Sequence, residues 1–114
     1  MRGVIMKVGI ATEGDIVAQH FGRCQAYTIV EFEGDKVMNQ EVIQSPGHQP
    51  GFLPGWLAKF SVKWVVCGGM GPRAQELFRE QGISPIMGVM GTIADTIDKI
   101  CTGALEGGEN ICDH

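Results

Sequence analysis

Residues 20–24 read His-Phe-Gly-Arg-Cys, which sets an imidazole, a guanidinium and a thiol around one aromatic ring and one glycine. Thiolate and imidazole suit transition metals and iron–sulfur species, not magnesium or calcium. Arg23 cannot ligate, but its permanent charge suits an anion. His20 and Cys24 are therefore candidate ligands, with Arg23 beside them to neutralise what they hold. Plain packing also fits the stretch: Phe21 in the core, His20 on the surface, Cys24 as a small buried apolar side chain.

A second stretch, Cys-Gly-Gly-Met-Gly-Pro-Arg-Ala over residues 67–74, runs from the end of an apolar segment through glycines into a helix start. Backbone N–H groups at Gly68, Gly69 and Gly71 can turn toward an anion, and a helix N-terminus favours negative charge. The phosphate-loop pattern and a full G-x-G-x-x-G are both missing, so a nucleotide is not indicated; a tight turn alone would also explain the glycines. Cys67 is a further candidate ligand that packing explains equally well. His48 stands in the loop Pro-Gly-His-Gln-Pro-Gly, and the chain ends in Cys112, Asp113 and His114. Cys112 and His114 suit a soft metal better than Asp113 does, so they join His48 as candidate ligands. No C-x-x-C occurs among the four cysteines, which sets aside zinc ribbons and thioredoxin-type motifs.

Positioning these residues falls to an alternation of strands and helices. Apolar or alternating runs predict strands over 4–12, 26–33, 36–44, 63–69 and 83–91. Helical spacing predicts short and longer helices over 56–60, 70–82 and 92–105, with Pro72 at a first helical position, Gly82 at a stop and Thr92 as a cap. The order βββαβαβα predicts a single α/β domain over 1–114: a five-stranded mixed sheet with helices on both faces, a core over about 6–105 and a flexible tail over about 106–114. The first and third strands run together, the second opposes them, and crossovers make the fourth and fifth parallel to the first. The loops 12–25, 45–54, 67–72 and 88–91 then leave at the carboxyl edge, where open α/β sheets hold ligands. His20, Arg23, Cys24, His48, Cys67 and the glycine turn should meet there, and Cys101 should lie at the opposite edge.

Composition narrows the partners. A chain of 114 residues with net charge −4 and no block of like charge argues against nucleic acid or an anionic membrane as partner. No apolar run approaches the ~20 residues that span a bilayer, and the start "MRGVIMKVGIA" shows no long apolar region followed by a small-residue cleavage site, so secretion is not expected. A cytoplasmic protein with reduced cysteines is expected.

The opening strand followed by His-Phe-Gly-Arg-Cys, and then Gly-Gly-Met-Gly-Pro-Arg-Ala after the fourth strand, resembles the dinitrogenase iron–molybdenum cofactor biosynthesis family. Its members include NifX-type proteins, the C-terminal domain of NifB-type proteins and the molybdenum–copper orange proteins. The resemblance spans about residues 6–105. It implies a ribonuclease H-like fold and a non-enzymatic role as carrier or scaffold for an anionic metal–sulfur cluster of iron–molybdenum, iron–sulfur or molybdenum–copper type. It also implies donor and recipient proteins for that cluster. The family motif maps onto His20, Phe21, Gly22 and Arg23, while Cys24 and the Cys-Asp-His tail fall outside the general pattern.

Two other readings stand beside the carrier. A thiol-based redox sensor would need Cys24 and Cys67 within bridging distance, and a small-anion binder would need only Arg23 and the glycine turn. A nuclease on the same fold would need several carboxylates around one site to hold two metal ions. Glu13 and Asp15 follow the first strand, but Cys-Gly-Gly-Met-Gly after the fourth contains no carboxylate, which argues against that chemistry.

Overall fold

The structure is a computed structural model that describes residues 5–46 and 52–103. In chain order its elements are β1 (Ile5–Glu13), β2 (Ile16–Val17), β3 (Ala26–Glu33), β4 (Lys36–Gln44), α1 (Leu53–Ala58), β5 (Trp64–Val66), α2 (Pro72–Glu80), β6 (Ser84–Ile86) and α3 (Ile93–Thr102). The sheet has six strands where the sequence suggested five: the order is β4-β3-β1-β5-β6, and β2 pairs with the end of β1. β3 runs antiparallel to both β1 and β4, while β5 lies parallel to β1 and β6 parallel to β5. The expected strand directions therefore hold.

Alternation along the strands divides the apolar residues between two faces. On one face Tyr27, Ile29, Val65 and Cys67 pack with Leu53 and Leu57 of α1 and Phe78 of α2. On the other, Val8, Ile10, Val30, Phe32 and Val66 pack with Ile93 and Ile97 of α3. Helices thus cover both faces, as expected from the crossovers. β4 is an outer strand and its residues are mostly exposed. A bulge interrupts its pairing, because Asn39 opposes Glu31 and Val37 opposes Phe32, which leaves Met38 between them.

Local chemistry sets the helix ends. Pro72 opens α2, and Gly82 follows it at φ +76°, a conformation that costs glycine nothing. The Thr92 side chain accepts a hydrogen bond from the Asp95 N–H at 3.0 Å, and Gly103 closes α3 in the left-handed region. The last two strands are shorter than predicted, since their glycine-rich ends leave the sheet to form loops.

Those loops gather at the carboxyl edge. Val17 N–H donates to Gly91 O at 2.9 Å, Gly68 N–H to Ala18 O at 2.9 Å, and Gly88 N–H to Gly68 O at 2.8 Å. Ile93 N–H donates to Asp15 O, so α3 starts at this edge. At its far end Ile100 and Gly103 line a cavity with Met6 and Trp64, where β1 and β5 begin, so Cys101 lies toward the opposite edge, as expected. Among the described residues no helix is long and apolar enough to cross a membrane.

Candidate functional site

The site is built from two loops laid side by side. Residues 18–21 run parallel to residues 67–69: His20 bridges Gly69, and Phe21 N–H donates to Gly69 O at 2.9 Å. The chain then reverses in a turn from His20 to Arg23, closed by Arg23 N–H donating to His20 O at 3.3 Å. Gly22 takes φ +93° at the third position, where a turn of this kind requires glycine. Phe21 points inward, its ring edge-on to Phe78 at 5.0 Å and tilted against Tyr27 at 5.6 Å. With that anchor set, His20 and Arg23 stand exposed at the two ends of the turn.

A cleft of about 370 Å³ opens beside them, lined by Glu13, Ile16, Ala18, Gln19, His20 and Arg23. Among the described residues no carboxylate forms an ion pair with Arg23, although Glu13 shares the cleft. Arg73, in the first turn of α2, is exposed and 3.8 Å from the equally exposed Glu76, a pair worth little in water.

The glycine turn differs in part from expectation. Gly68 spends its N–H on Ala18 and its carbonyl on Gly88, so it knits the loops together instead of facing a ligand. Gly69 is buried under the His20 turn, which its carbonyl holds. Gly71 is exposed and caps α2 at φ −68°, with no side chain capping the helix. A Cβ at Gly71 would meet nothing within 4 Å, so neither backbone geometry nor packing accounts for the glycine. It leaves the α2 N-terminus, with its positive end of the helix dipole, open to an approaching anion.

The two thiols lie behind this surface. Cys24 is 7 % exposed and Cys67 is 0 % exposed, and both belong to the core cluster under α1 and α2. The Cys67 thiol donates to Gly69 O at 3.4 Å. Cys24, Cys67 and Cys101 are all unbridged. Among the described residues no three His, Cys, Asp or Glu side chains come together in a metal-holding group. His48, Cys112 and His114 lie outside the described residues.

Tyr27 is the residue that sequence reasoning missed. Its side chain is 0 % exposed and, among the described residues, its hydroxyl has no hydrogen-bond partner. The Cys24 thiol and the Gly22 N–H are its polar neighbours, with the Cys67 thiol also in electrostatic reach, but none completes a hydrogen bond. Burial above all, and next the Cys24 thiol, push the phenol far above its ordinary value. The available signal was slight: this is the chain's one tyrosine, three residues after Cys24.

Known proteins share this framework. The crystal structure of PH0822 superposes with a TM-score of 0.87 at 36 % identity, covering 96 % of this chain and all of that one (100 %). The protein MJ0580 of Methanocaldococcus jannaschii is 28 % identical over 107 residues, 90 % of this chain and 91 % of the relative. The apo orange protein of Desulfovibrio gigas, at 20 % identity, shares the fold with a TM-score of 0.74 over 95 % of this chain and 97 % of that one. The family model described as dinitrogenase iron-molybdenum cofactor matches residues 4–103, a span that includes the His20–Arg23 turn and the Gly68–Gly71 loop, and the chain belongs to that family.

Proposed function

We propose that this chain is a binding protein, not a catalyst, and that its cargo is an anionic metal–sulfur cluster held at the carboxyl edge of the sheet. The observation that carries the reading is the turn that presents His20 and Arg23 outward while seated on Gly69, beside the uncapped start of α2 at Gly71. Arg23 and the α2 N-terminus supply positive potential, and His20 supplies an imidazole ligand. Cys24 and Cys67 sit one layer deeper, where they would ligate only a cargo that reaches beneath the turn. His48, Cys112 and His114 complete the proposed ligand set. An iron–molybdenum precursor, an iron–sulfur cluster and a molybdenum–copper cluster all fit this donor chemistry, and a carrier of any of them requires donor and recipient proteins. The antiparallel β4-β3-β1 ribbon continued by parallel β5 and β6 supports a ribonuclease H-like fold, and the reduced thiols suit a cytoplasmic setting.

The test is anaerobic purification with metal and acid-labile sulfide analysis and an absorption spectrum. The parent chain should retain both metal and sulfide. Gly71→Ala should fold at least as stably, because it removes unfolded-state freedom worth ~0.4–1 kcal/mol, yet retain less cargo. Arg23→Gln should also retain less. A parent protein free of metal and sulfide under every anaerobic condition would end the carrier reading.

A further inference from the structure

Cys24 and Cys67 are far apart in sequence, yet both are buried in the core cluster under α1 and α2 and both lie within electrostatic reach of Tyr27. The carbonyl of Gly69 accepts the Cys67 thiol at 3.4 Å and the Phe21 N–H at 2.9 Å, which fixes the Cys67 sulfur under Phe21. Sheet register leads to the same place. Val66 pairs with Ile10, so Cys67 stands one step on beside Ala11, and Ala11 pairs with Tyr27. Only the methyl of Ala11 separates Cys67 from the Tyr27 ring along that row. Cys24 leaves the same turn three residues after Phe21 and packs in the same cluster. The buried Tyr27 hydroxyl, which has no hydrogen-bond partner among the described residues, lies within reach of the Cys24 thiol and, more weakly, of the Cys67 thiol.

We propose that Cys24 and Cys67 are a redox pair that closes to an intramolecular disulfide when a peroxide oxidises Cys24, tying together the two loops of the site. The Cys24 sulfur attacks one oxygen of hydrogen peroxide, the O–O bond breaks, and Cys24 becomes a sulfenic acid with release of one water. The Cys67 sulfur then attacks the Cys24 sulfur, the S–O bond breaks, and the oxygen leaves as a second water with the Cys67 proton. The two thiols lose two electrons and two protons, and peroxide gains them. Cys24 is the point of entry because it keeps some exposure while Cys67 has none. The Tyr27 hydroxyl, without an acceptor among the described residues and close to Cys24, donates to the oxygen that Cys24 acquires. Cys101 packs on the other sheet face and does not compete.

This inference is independent of the carrier reading, because the cross-link forms on metal-free chain. The full chain is treated with hydrogen peroxide, blocked with iodoacetamide and digested with trypsin without reductant. Cys24 and Cys67 fall in separate peptides, residues 24–36 and 64–73, while Cys101 and Cys112 share residues 100–114. The expected product is peptide 24–36 linked to 64–73, lighter by two hydrogens and released by dithiothreitol. It should be lost in Cys24→Ser and Cys67→Ser and kept in Cys101→Ser. Tyr27→Phe should form it about tenfold more slowly, the worth of one hydrogen bond; an unchanged rate would remove the hydroxyl from the first step. Recovery of both peptides unlinked, linkage of either to 100–114, or linkage only between chains would overturn the pair. Should the serine variants fail to fold, the peptide map of the parent chain decides alone.

Discussion

Tyr27 holds a buried hydroxyl that no described residue pairs, an arrangement that costs roughly 1–3 kcal/mol. Tyr27→Phe is therefore expected to raise the stability of the metal-free, reduced protein by about 1 kcal/mol or more, measured by denaturant unfolding. Its pH dependence has a definite sign. The folded phenol is held neutral far above its ordinary value, whereas the unfolded chain ionises near pH ~10. The phenol's contribution is thus complete below that pH and falls as pH rises above it, because only the unfolded chain releases the proton there. Since the chain has one tyrosine, phenolate absorption should appear together with alkaline unfolding. Absorption that rises well before unfolding would contradict this. His20, Phe21, Gly22 and Arg23 were legible in the sequence because each has a distinct chemical type in a compact turn. Tyr27 was not, because its role depends on the pairing with Ala11, a small residue on another strand.

At the level of elements, β3 and β4 coincide with the runs of alternating residues at 26–33 and 36–44. β2 escaped detection because two residues carry no periodicity; it is held by Ile16 bridging Thr92 and by Val17 donating to Gly91. α1 begins at Leu53, three residues before the predicted start, because Pro54 and Gly55 read as loop signals although proline is at home in a first helical turn. Two substitutions of similar cost separate fold from site. Gly22→Ala forces a side chain into φ +93° and should lower stability by about 1–2 kcal/mol, while also displacing His20 and Arg23. Thr92→Ala removes the α3 cap, at a cost of ~1 kcal/mol. Thermal unfolding should show comparable losses, and anaerobic metal retention should fall for Gly22→Ala alone. Equal retention in the two variants would argue that the turn does not hold the cargo.

Across the whole molecule, the sheet separates two apolar layers and leaves β4 as an outer ply, with Val37, Met38 and Val42 exposed. Local opening is cheapest where few apolar contacts are lost. Hydrogen exchange should therefore be fastest in β4 among the strands and slowest in β1 and β5, whose Ile10, Val65 and Val66 are fully buried. Protection of β4 equal to that of β1 would show that another surface covers it. The parallel run of residues 18–21 along 67–69 has a consequence of its own. Two loops that share backbone hydrogen bonds cannot fluctuate separately, so His20, Arg23 and the start of α2 move as one stiff body. A cargo held there, as proposed, would immobilise few torsions that were free beforehand, and association would forfeit little chain entropy. By the same token, release cannot come from one loop swinging out while the other keeps its grip; both must yield together.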